Sequence, residues 1–424
     1  MVLKKMSVFW SVLAISIVLL ALYPMQIPSH VHSYVSKDKG NKKNENGIEE
    51  ASLQTDTIKM VKNAEVMQNM TGVFEYVGTA AAGQHFRIIG ENEHYFHVSF
   101  GRGTGFIKKE DAVKAKLERA DQVPQTERSN ESFITKSDSV VYDSNQNYDL
   151  GVIKENMRFP IVRETNKWYI IDFMGRLGSV EKGKVEKDNG VVAIMYHHFL
   201  KKEENKKFKN ASTTIQPSEF EWQMKHLKEQ GYVTIDMNTL EKYLLNRINL
   251  PGKVVVITMD DGLKSNVRYA APVLRKYGFK ANIYLITSRV KEHDQSWDAD
   301  TTVSVSIHEM EANKDVYAYH GHTHNMHYIN GRLSAMNFLP YHEALADLKE
   351  NKNFLADNGF NTTHFAYPFG SNILKSQSLL SDSGFTTAFT TSKGYNKVGD
   401  NPLLLKRWNI VPGMTIDEFE AILN

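Results

Sequence analysis

The chain has 424 residues, of which 41% are hydrophobic and 24% are charged, which is typical of a globular protein with two or three domains. Its formal net charge of +2 at pH 7 gives no large field of one sign, and this argues against nucleic-acid binding. The sequence contains no cysteine, which excludes disulfide bonds, thiolate metal ligands and lipid-modified cysteines.

The N-terminal segment is apolar and long enough to cross a membrane. Lys4 and Lys5 precede an uncharged run over residues 6–23 that is rich in Leu, Ile and Val. A run of about 18 or more such residues predicts a transmembrane anchor within residues 1–30, and the lysines favour a cytoplasmic N-terminus. A cleaved signal peptide is the alternative, although the residues at 21–23, Ala-Leu-Tyr, make a poor cleavage site. In both cases we expect the remainder of the chain on the outer side of the membrane, either anchored or secreted.

Two similar β-patterned segments follow a polar tether. Residues 31–54 include the charged stretch K-D-K-G-N-K-K-N-E-N-G, which cannot bury a core and therefore predicts a flexible tether. Residues 95–107 contain an aromatic pair, a strand pattern, a turn with Gly-Arg and a closing strand, and residues 168–180 repeat this order. The internal duplication predicts two small all-β domains, at residues 55–113 and 131–182.

These two segments resemble bacterial SH3-like domains, small barrels that often occur on cell-wall proteins. The resemblance implies contact with wall glycan or peptide. A spacer that lifts the following domain off the membrane is the alternative.

Residues 190–424 alternate between strand patterns and helix patterns. Buried strands are predicted at 191–198, 254–259, 281–286, 316–319, 364–367 and 386–389, and helices at 217–230, 239–246, 267–277, 306–313, 339–358 and 373–383. Such an alternation predicts an α/β fold with a parallel sheet, closed or nearly closed into a β/α barrel. In barrels of this kind, catalytic groups collect at the C-terminal ends of the strands.

Two stretches of this domain carry metal-binding chemistry. The strand pattern at 254–259 ends in Asp260 and Asp261, and adjacent carboxylates on an extended backbone point in different directions. One of them can therefore bind a metal while the other accepts a proton. Beside another strand pattern, four histidines fall within eight positions: His320, His322, His324 and His327. One Asp oxygen and two His nitrogens form a set that suits Zn²⁺ and leaves a position for water, as in a hydrolytic site.

Each of these stretches also has a simpler interpretation. Asp-Asp-Gly after a strand is often only a turn. A run of surface histidines need have no role. The presence of both stretches in one domain favours the metal site.

Three motifs, in order along the chain, resemble those of polysaccharide deacetylases, the family 4 carbohydrate esterases. They are T-M-D-D-G at 258–262, H-T-H-N-M-H at 322–327 and Y-P-F-G at 367–370. The resemblance covers residues 190–424. It implies a bacterial, extracytoplasmic hydrolase that removes N-acetyl groups from a polysaccharide containing N-acetylglucosamine. It also implies a divalent metal, with Zn²⁺ as the expected ion.

The histidine motif departs from the common family pattern H-T-x-x-H. Position 326 is Met, and the next histidine is His327, five positions after His322. This spacing resembles the subgroup that acts on biofilm poly-β-1,6-N-acetylglucosamine. The resemblance implies Asp260 as general base, His197 near the substrate, and Asp261, His322 and His327 as metal ligands. His320 and His324 are four positions apart and remain an alternative pair of ligands.

The third motif also departs from the family pattern, because Ala366 stands where an arginine is expected to hold the base. Arg407 could replace that arginine, since a guanidinium group matches a carboxylate and lowers its pKa. A surface salt bridge is the alternative role for Arg407. Tyr367, Pro368 and Phe369 are candidate contacts for the substrate or the oxyanion, which a backbone N–H near Phe369 could bind.

The usual late histidine acid of the family has no counterpart in this sequence, because no histidine follows His364. His197 or a metal-bound water could donate the proton to the leaving amine. The leading hypothesis is a metal-dependent polysaccharide N-deacetylase. The alternative is a wall-glycan-binding protein whose deacetylase domain is weakly active or inactive. Biofilm glycan, peptidoglycan and chitin-like oligomers all fit the motifs as substrates.

Overall fold

The described part of the chain begins with the first β-patterned repeat. The computed structural model describes residues 57–115 and 129–423. The predicted anchor at 1–30 and tether at 31–54 lie outside the described residues, and both stay predictions. Over the two described ranges, no helix combines the length and apolar character needed to cross a membrane.

The first half of the described chain contains two β-structured repeats with a similar order of elements, and the second has one additional short strand, β12 (Arg163–Glu164). In each repeat, an antiparallel hairpin is followed by a 3₁₀ turn and a short returning strand. The first repeat has the strands β1 (Thr57–Met60), β2 (Ala64–Asn69), β3 (Phe74–Ala80), β4 (His85–Glu91), β5 (Tyr95–Phe100), β6 (Gly103–Lys108) and β7 (Ala112–Lys114). The second has β8 (Ser132–Thr135), β9 (Ser139–Asp143), β10 (Asp149–Ile153), β11 (Arg158–Pro160), β12 (Arg163–Glu164), β13 (Trp168–Phe173), β14 (Arg176–Glu181) and β15 (Val185–Lys187).

The two repeats are joined through one sheet and one core. β10 pairs with β3, and Phe173 of β13 pairs with Phe100 of β5. Gly78 and Gly151 allow this approach, because a Cβ at these positions would lie 2.4 Å and 1.9 Å from a carbonyl oxygen of the other repeat. Buried side chains of both repeats form a single hydrophobic cluster. The duplication is present, whereas its SH3-like character stays a prediction.

The second half of the described chain alternates strands and helices. Its strands are β16 (Val191–Tyr196), β17 (His198–Phe199), β18 (Thr214–Ile215), β19 (Val233–Thr234), β20 (Val254–Met259), β21 (Ala281–Leu285), β22 (Tyr317–Gly321), β23 (Ile329–Asn330), β24 (Leu333–Ser334), β25 (His364–Ala366), β26 (Thr387–Phe389), β27 (Tyr395–Asn396) and β28 (Trp408–Asn409). Its helices are α1 (Pro217–Glu229), α2 (Met237–Leu244), α3 (Ala271–Tyr277), α4 (Ile307–Ala312), α5 (Ala335–Phe338), α6 (Tyr341–Asp357), α7 (Leu374–Asp382) and α8 (Ile416–Leu423).

The main sheet of this half is parallel and closes through a late segment of the chain. Its central order is β26-β25-β22-β21-β20-β16, with parallel pairing throughout. Residues 405–409 join the two edges, since Leu405 bridges to Phe389 of β26 and Trp408 pairs with Ile194 of β16. The predicted β/α barrel is therefore the observed architecture, with residues 405–409 completing the ring.

The helices follow the apolar periodicity of the sequence, with three differences, one of which is that the short helix α5 was not predicted. The predicted helix at 267–277 is divided into a π-helical turn (Asn266–Ala270) and α3, because Pro272 near the start of α3 has no N–H to donate. Helix α8 was not predicted, yet Phe419 and Ile422 on its inner face are part of the barrel core.

The barrel is fixed to the second repeat just before β20. The N–H groups of Gly252 and Lys253 donate to the backbone and side-chain oxygens of Asn156, each at 2.8 Å. Arg158 donates to the carbonyl of Gly252 at 3.2 Å and forms a 2.8 Å ion pair with Asp188. Both charged side chains are buried, at 1% and 3% exposure. The repeats and the strand that carries the paired aspartates are thus in direct contact.

Removal of residues 1–185 should destabilise the barrel, although all candidate site residues lie in the part that remains. The deletion takes away Arg158 and Asn156 and leaves Asp188 without its partner. We expect a loss of about 3 kcal/mol or more, which lowers the melting temperature of a domain of this size by roughly 6–12 °C. Thermal unfolding of the truncated and full-length proteins measures this. Equal melting temperatures would mean that the repeats are only a spacer.

Candidate active site

Asp260 and Asp261 lie where β20 ends. The strand is buried along its whole length, and the N–H of Asp260 still pairs with the carbonyl of Tyr196 on β16 at 3.0 Å. Asp261 then adopts a φ of 68° and Gly262 a φ of 64°, which turns the chain away from the sheet. As a result, Asp260 is 3% exposed, whereas the side chain of Asp261 is 24% exposed. The two carboxylates therefore face different surroundings.

Arg407 holds the Asp260 carboxylate in a bidentate ion pair. Its Nη1 lies 2.7 Å from Oδ1, and its Nη2 lies 2.6 Å from Oδ2. The guanidinium also donates to the carbonyl of Thr390 at 2.9 Å and to Oγ1 of Thr258 at 3.2 Å. Arg407 is fully buried, so it is not the surface salt bridge that the sequence left open.

This ion pair sets the charge of Asp260. Burial would raise the pKa of the carboxyl group, but the charge and hydrogen bonds of Arg407, together with the nearby His322 and His197, outweigh burial and lower that pKa to about 2. Asp260 is therefore ionised at neutral pH. Each carboxylate oxygen keeps a second lone pair, so the group can still accept a proton or a hydrogen bond from another molecule.

Asp261, His322 and His327 bring three ligand atoms together. The Nε2 atoms of the two histidines are 3.1 Å apart. Oδ1 of Asp261 lies 3.6 Å from Nε2 of His322 and 3.4 Å from Nε2 of His327. A tetrahedral Zn²⁺ with bonds of about 2.0–2.1 Å separates its ligand atoms by about 3.3–3.4 Å. The donor set thus fits a metal such as Zn²⁺. Within residues 57–115 and 129–423, these three residues are the group of acidic and histidine side chains whose ligand atoms lie close enough together to hold an ion.

The backbone of Ala366 orients one of these ligands. Nδ1 of His322 lies 2.7 Å from the Ala366 carbonyl oxygen, so it donates its hydrogen there and leaves Nε2 for a metal. Burial lowers the pKa of His322 and of His327 to about 4 each, which keeps both imidazoles neutral at neutral pH. Ala366 therefore contributes to the site through its backbone carbonyl group. Arg407 provides the guanidinium group that the family pattern has at position 366.

His197 and Phe369 lie beside these charged groups. Nε2 of His197 is 3.9 Å from Oδ2 of Asp260, too far for a hydrogen bond, and its carbonyl accepts from Asn266 at 2.8 Å. The ring of Phe369 is 4.6 Å from that of His327 and is 47% exposed. An exposed aromatic side chain thus borders the predicted ligands.

Tyr367 and Pro368, the other candidate substrate contacts, are both buried. The ring of Tyr367 packs in a hydrophobic cluster that contains Phe365, and its N–H donates to the carbonyl of Phe389 at 3.0 Å. The structure thus places the side chain of Tyr367 in the core, where it packs against other apolar side chains instead of facing a substrate.

His320 and His324, the alternative ligand pair, are engaged elsewhere. His320 is buried, and its ring nitrogens lie 2.8 Å from Oγ1 of Thr362 and 3.1 Å from Oδ1 of Asn282. Nδ1 of His324 lies 3.0 Å from Oγ1 of Thr287. Neither ring is part of the group formed by Asp261 and its two histidines, so the five-apart pair is the one that the fold assembles.

Local backbone strain accompanies the site. Seven described non-glycine residues have positive φ, and three of them are Asp261, Thr323 and Phe369. A left-handed conformation is uncommon for bulky and β-branched residues and persists only where the surroundings impose it. Strain of this kind often marks functional sites.

Three polar residues that support the site were missed in the sequence. Thr258 hydrogen-bonds Arg407, and Asp347 and Asn351 of α6 contact the loop between the two ligand histidines. A signal for the last two exists in hindsight, because they are four positions apart on a helix and therefore share one face. That face also bears buried apolar residues such as Leu348 and Leu355.

The arrangement combines a metal-ligand set with a separate ionised carboxylate. Such a pair of features can activate water and accept a proton during hydrolysis. The exposed ring of Phe369 offers an apolar surface on which part of a substrate could lie.

Part of the second half of the chain is similar to known proteins. Residues 247–388 match the family model for polysaccharide deacetylase. The chain is 27% identical over 242 residues to YxkH of Bacillus subtilis (strain 168), named as a candidate polysaccharide deacetylase, covering 57% of this chain and 78% of the relative. It is 28% identical over 203 residues to the poly-β-1,6-N-acetyl-D-glucosamine N-deacetylase of Staphylococcus epidermidis (strain ATCC 35984), covering 45% of this chain and 68% of that protein.

Among solved structures, IcaB from Ammonifex degensii matches with 27% sequence identity and a TM-score of 0.47. The match covers 55% of this chain and 96% of IcaB. The matched family region contains both aspartates and both ligand histidines and ends before Arg407. The region that matches the family model thus lies within the predicted domain at residues 190–424.

Proposed function

We propose that the chain hydrolyses N-acetyl groups of an extracellular or cell-wall polysaccharide built from N-acetylglucosamine, because residues 247–388 match the family model for polysaccharide deacetylase and a similar staphylococcal protein is named as an N-deacetylase. One observation carries this proposal. Asp261, His322 and His327 present three ligand atoms within 3.1–3.6 Å of one another, beside an Asp260 carboxylate fixed by Arg407.

The metal would be held by Asp261, His322 and His327. When bound, a divalent ion such as Zn²⁺ supplies Lewis-acid polarisation of the acetamide carbonyl and lowers the pKa of water. The side chains of the chain then have separate tasks. Asp261 supplies negative charge to the ion, and the neutral imidazoles supply nitrogen lone pairs without adding charge.

Asp260 acts as the general base in this proposal. Water attacks the acetamide carbonyl carbon, and the carboxylate accepts the proton that this water loses. A carboxylate with a pKa near 2 is a weak base, so it serves this purpose only for water that is itself made more acidic at the site. Arg407 keeps the carboxylate ionised and fixes its direction through two hydrogen bonds.

The leaving nitrogen must gain a proton when the C–N bond breaks. His197 is our proposed donor, because its Nε2 lies 3.9 Å from Asp260 and no histidine follows His364. As an imidazolium it gives its proton to the nitrogen, and it regains one from Asp260, which holds the proton taken from water. A backbone N–H near Phe369 is the proposed oxyanion contact, beside the rigid Pro368. The products are acetate and a glucosamine unit.

The substrate that we favour is poly-β-1,6-N-acetylglucosamine. The five-apart histidine spacing supports it, and so does the similarity to a staphylococcal protein named for that polymer. The sequence identity to that protein is 28%. Peptidoglycan and chitin-like oligomers also fit the motifs, so they serve as comparison substrates in the test. We further propose that the enzyme works outside a bacterial membrane to which residues 1–30 attach it, and that the two repeats, if SH3-like, contact the cell wall.

Acetate release is the direct test of the proposed function. The purified protein is stripped of metal with a chelator, and β-1,6-linked N-acetylglucosamine oligomers are supplied before and after Zn²⁺ is added back. We expect release only after Zn²⁺ is restored, and more from β-1,6-linked oligomers than from chitooligosaccharides or peptidoglycan fragments. Binding to these glycans without acetate release would instead support the alternative of a wall-glycan-binding protein with an inactive domain.

A further inference from the structure

The loop between the two ligand histidines is held from behind by helix α6. Asp347 accepts hydrogen bonds from the backbone N–H groups of His324 and Asn325, one on each carboxylate oxygen and each at 2.7 Å. A carboxylate that accepts two consecutive backbone N–H groups fixes the orientation of the peptide between them, because charged acceptors form the stronger hydrogen bonds.

One helical turn later, Asn351 holds the start of the same loop. Its Nδ2 donates to the carbonyl of Thr323 at 2.7 Å, and it lies 3.1 Å from both the carbonyl of Leu285 and Oγ1 of Thr287. Asn351 is fully buried. Its amide group thus ties the histidine loop to the end of β21 and the turn that follows it.

The loop needs such restraints because its backbone is strained. Thr323 follows the first ligand directly and has a φ of 75°, which is a true outlier for a β-branched residue. A conformation of this kind costs on the order of 1–3 kcal/mol and persists only when contacts impose it. In this same loop, the Nε2 atoms of two histidines five positions apart lie 3.1 Å from each other.

We propose that Asp347 and Asn351 are positioning residues that preorganise the His322–His327 loop, so that both imidazoles face the metal position before an ion binds. This inference rests on the proposed metal site. Neither residue hydrogen-bonds the imidazole of His322 or His327, and both act through the backbone on either side of His324. Loss of either residue should therefore lower the affinity for the metal by more than a general loss of stability would.

The first test is Asp347→Asn in the full-length protein. Asparagine keeps the shape but replaces one acceptor oxygen with an NH₂ group, which cannot accept from a backbone N–H. We expect Zn²⁺ affinity, measured by competition with a chromophoric chelator, to fall by about 10–100-fold, as is usual when an outer partner of a ligand is lost. Hydrogen exchange at the amides of His324 and Asn325 should become faster in the metal-free variant.

The matched control is Lys352→Met on the same helix. Lys352 donates to the carbonyls of Ser383 and Gly384, away from the histidine loop. This variant should lose stability but bind Zn²⁺ as the wild type does. Equal losses of affinity in both variants, or wild-type affinity in a folded Asp347→Asn protein, would overturn the proposal.

Hydrogen exchange in the metal-free wild type gives a test that needs no substitution. If Asp347 preorganises the loop, the amides of His324 and Asn325 should be protected without metal. Fast exchange at both amides would overturn the proposal, even if Asp347→Asn does not fold. A wild-type protein that retains no Zn²⁺ would count against the proposed function, while these exchange rates would still decide whether α6 holds the loop.

Discussion

Asp260→Asn should lower kcat/KM by about 10²–10⁴-fold and leave the metal content close to that of the wild type. Asn cannot accept the proton that Asp260 is proposed to take from water. The metal should stay, because the ligand atoms belong to Asp261, His322 and His327. Steady-state acetate release and metal analysis of the same preparation measure the two quantities.

The variant also leaves a buried charge without its partner. Arg407 has no exposure to solvent and makes two hydrogen bonds to Asp260. Breaking a buried ion pair on one side costs about 3–5 kcal/mol, so some loss of activity could come from unfolding. A control variant must therefore remove the carboxylate of another buried ion pair, away from the proposed catalytic groups.

Asp188→Asn provides that control. Asp188 pairs with buried Arg158 at 2.8 Å, where the second repeat meets the barrel, and none of the proposed catalytic groups contacts this pair. It should destabilise the protein by a similar amount while the folded fraction keeps its kcat. If Asp260→Asn, replete with metal, turns over substrate like the wild type, Asp260 is not the base, and the case for an enzyme rather than a binding protein loses its main support.

His327→Ala should abolish metal retention and, with it, activity. The substitution removes one of three protein ligands, so the loss of affinity should exceed the roughly 10–100-fold that an outer partner costs. We expect this loss because Nε2 of His327 is one of the three ligand atoms and lies 3.1 Å and 3.4 Å from the other two. Metal analysis after dialysis against a weak chelator measures retention.

His324→Ala is the matched control within the same loop. Its imidazole contacts Thr287 instead of the ligand group, and its backbone N–H to Asp347 is kept in the variant. We expect metal retention near that of the wild type. The reverse result, with metal lost in His324→Ala and kept in His327→Ala, would mean that the four-apart register is the correct one.

The sequence was informative wherever structure and chemistry depend on neighbouring residues. An apolar β-branched strand that ends in Asp260 and Asp261 can be recognised locally, because period, burial and turn residues are set within a few positions. The same holds for α1, where Phe220, Met224 and Leu227 mark the buried face that the structure shows. The fold class followed from the alternation of such patterns along residues 190–424, and residues 247–388 match the family model for polysaccharide deacetylase.

What the sequence could not decide is which distant segments meet. Arg407 lies 147 positions from Asp260 along the chain, and only closure of the barrel by residues 405–409 places its guanidinium on that carboxylate. The carbonyl of Ala366 reaches His322 because β25 pairs with β22, where Phe365 lies opposite Gly321. The union of the two repeats in one core, and the support of the histidine loop by Asp347 and Asn351, likewise depend on packing between elements. The sequence by itself thus determined the chemical groups and the strands and helices that carry them. The tertiary structure decided their partners, because a hydrogen bond or an ion pair depends on distance in space, which local patterns do not specify.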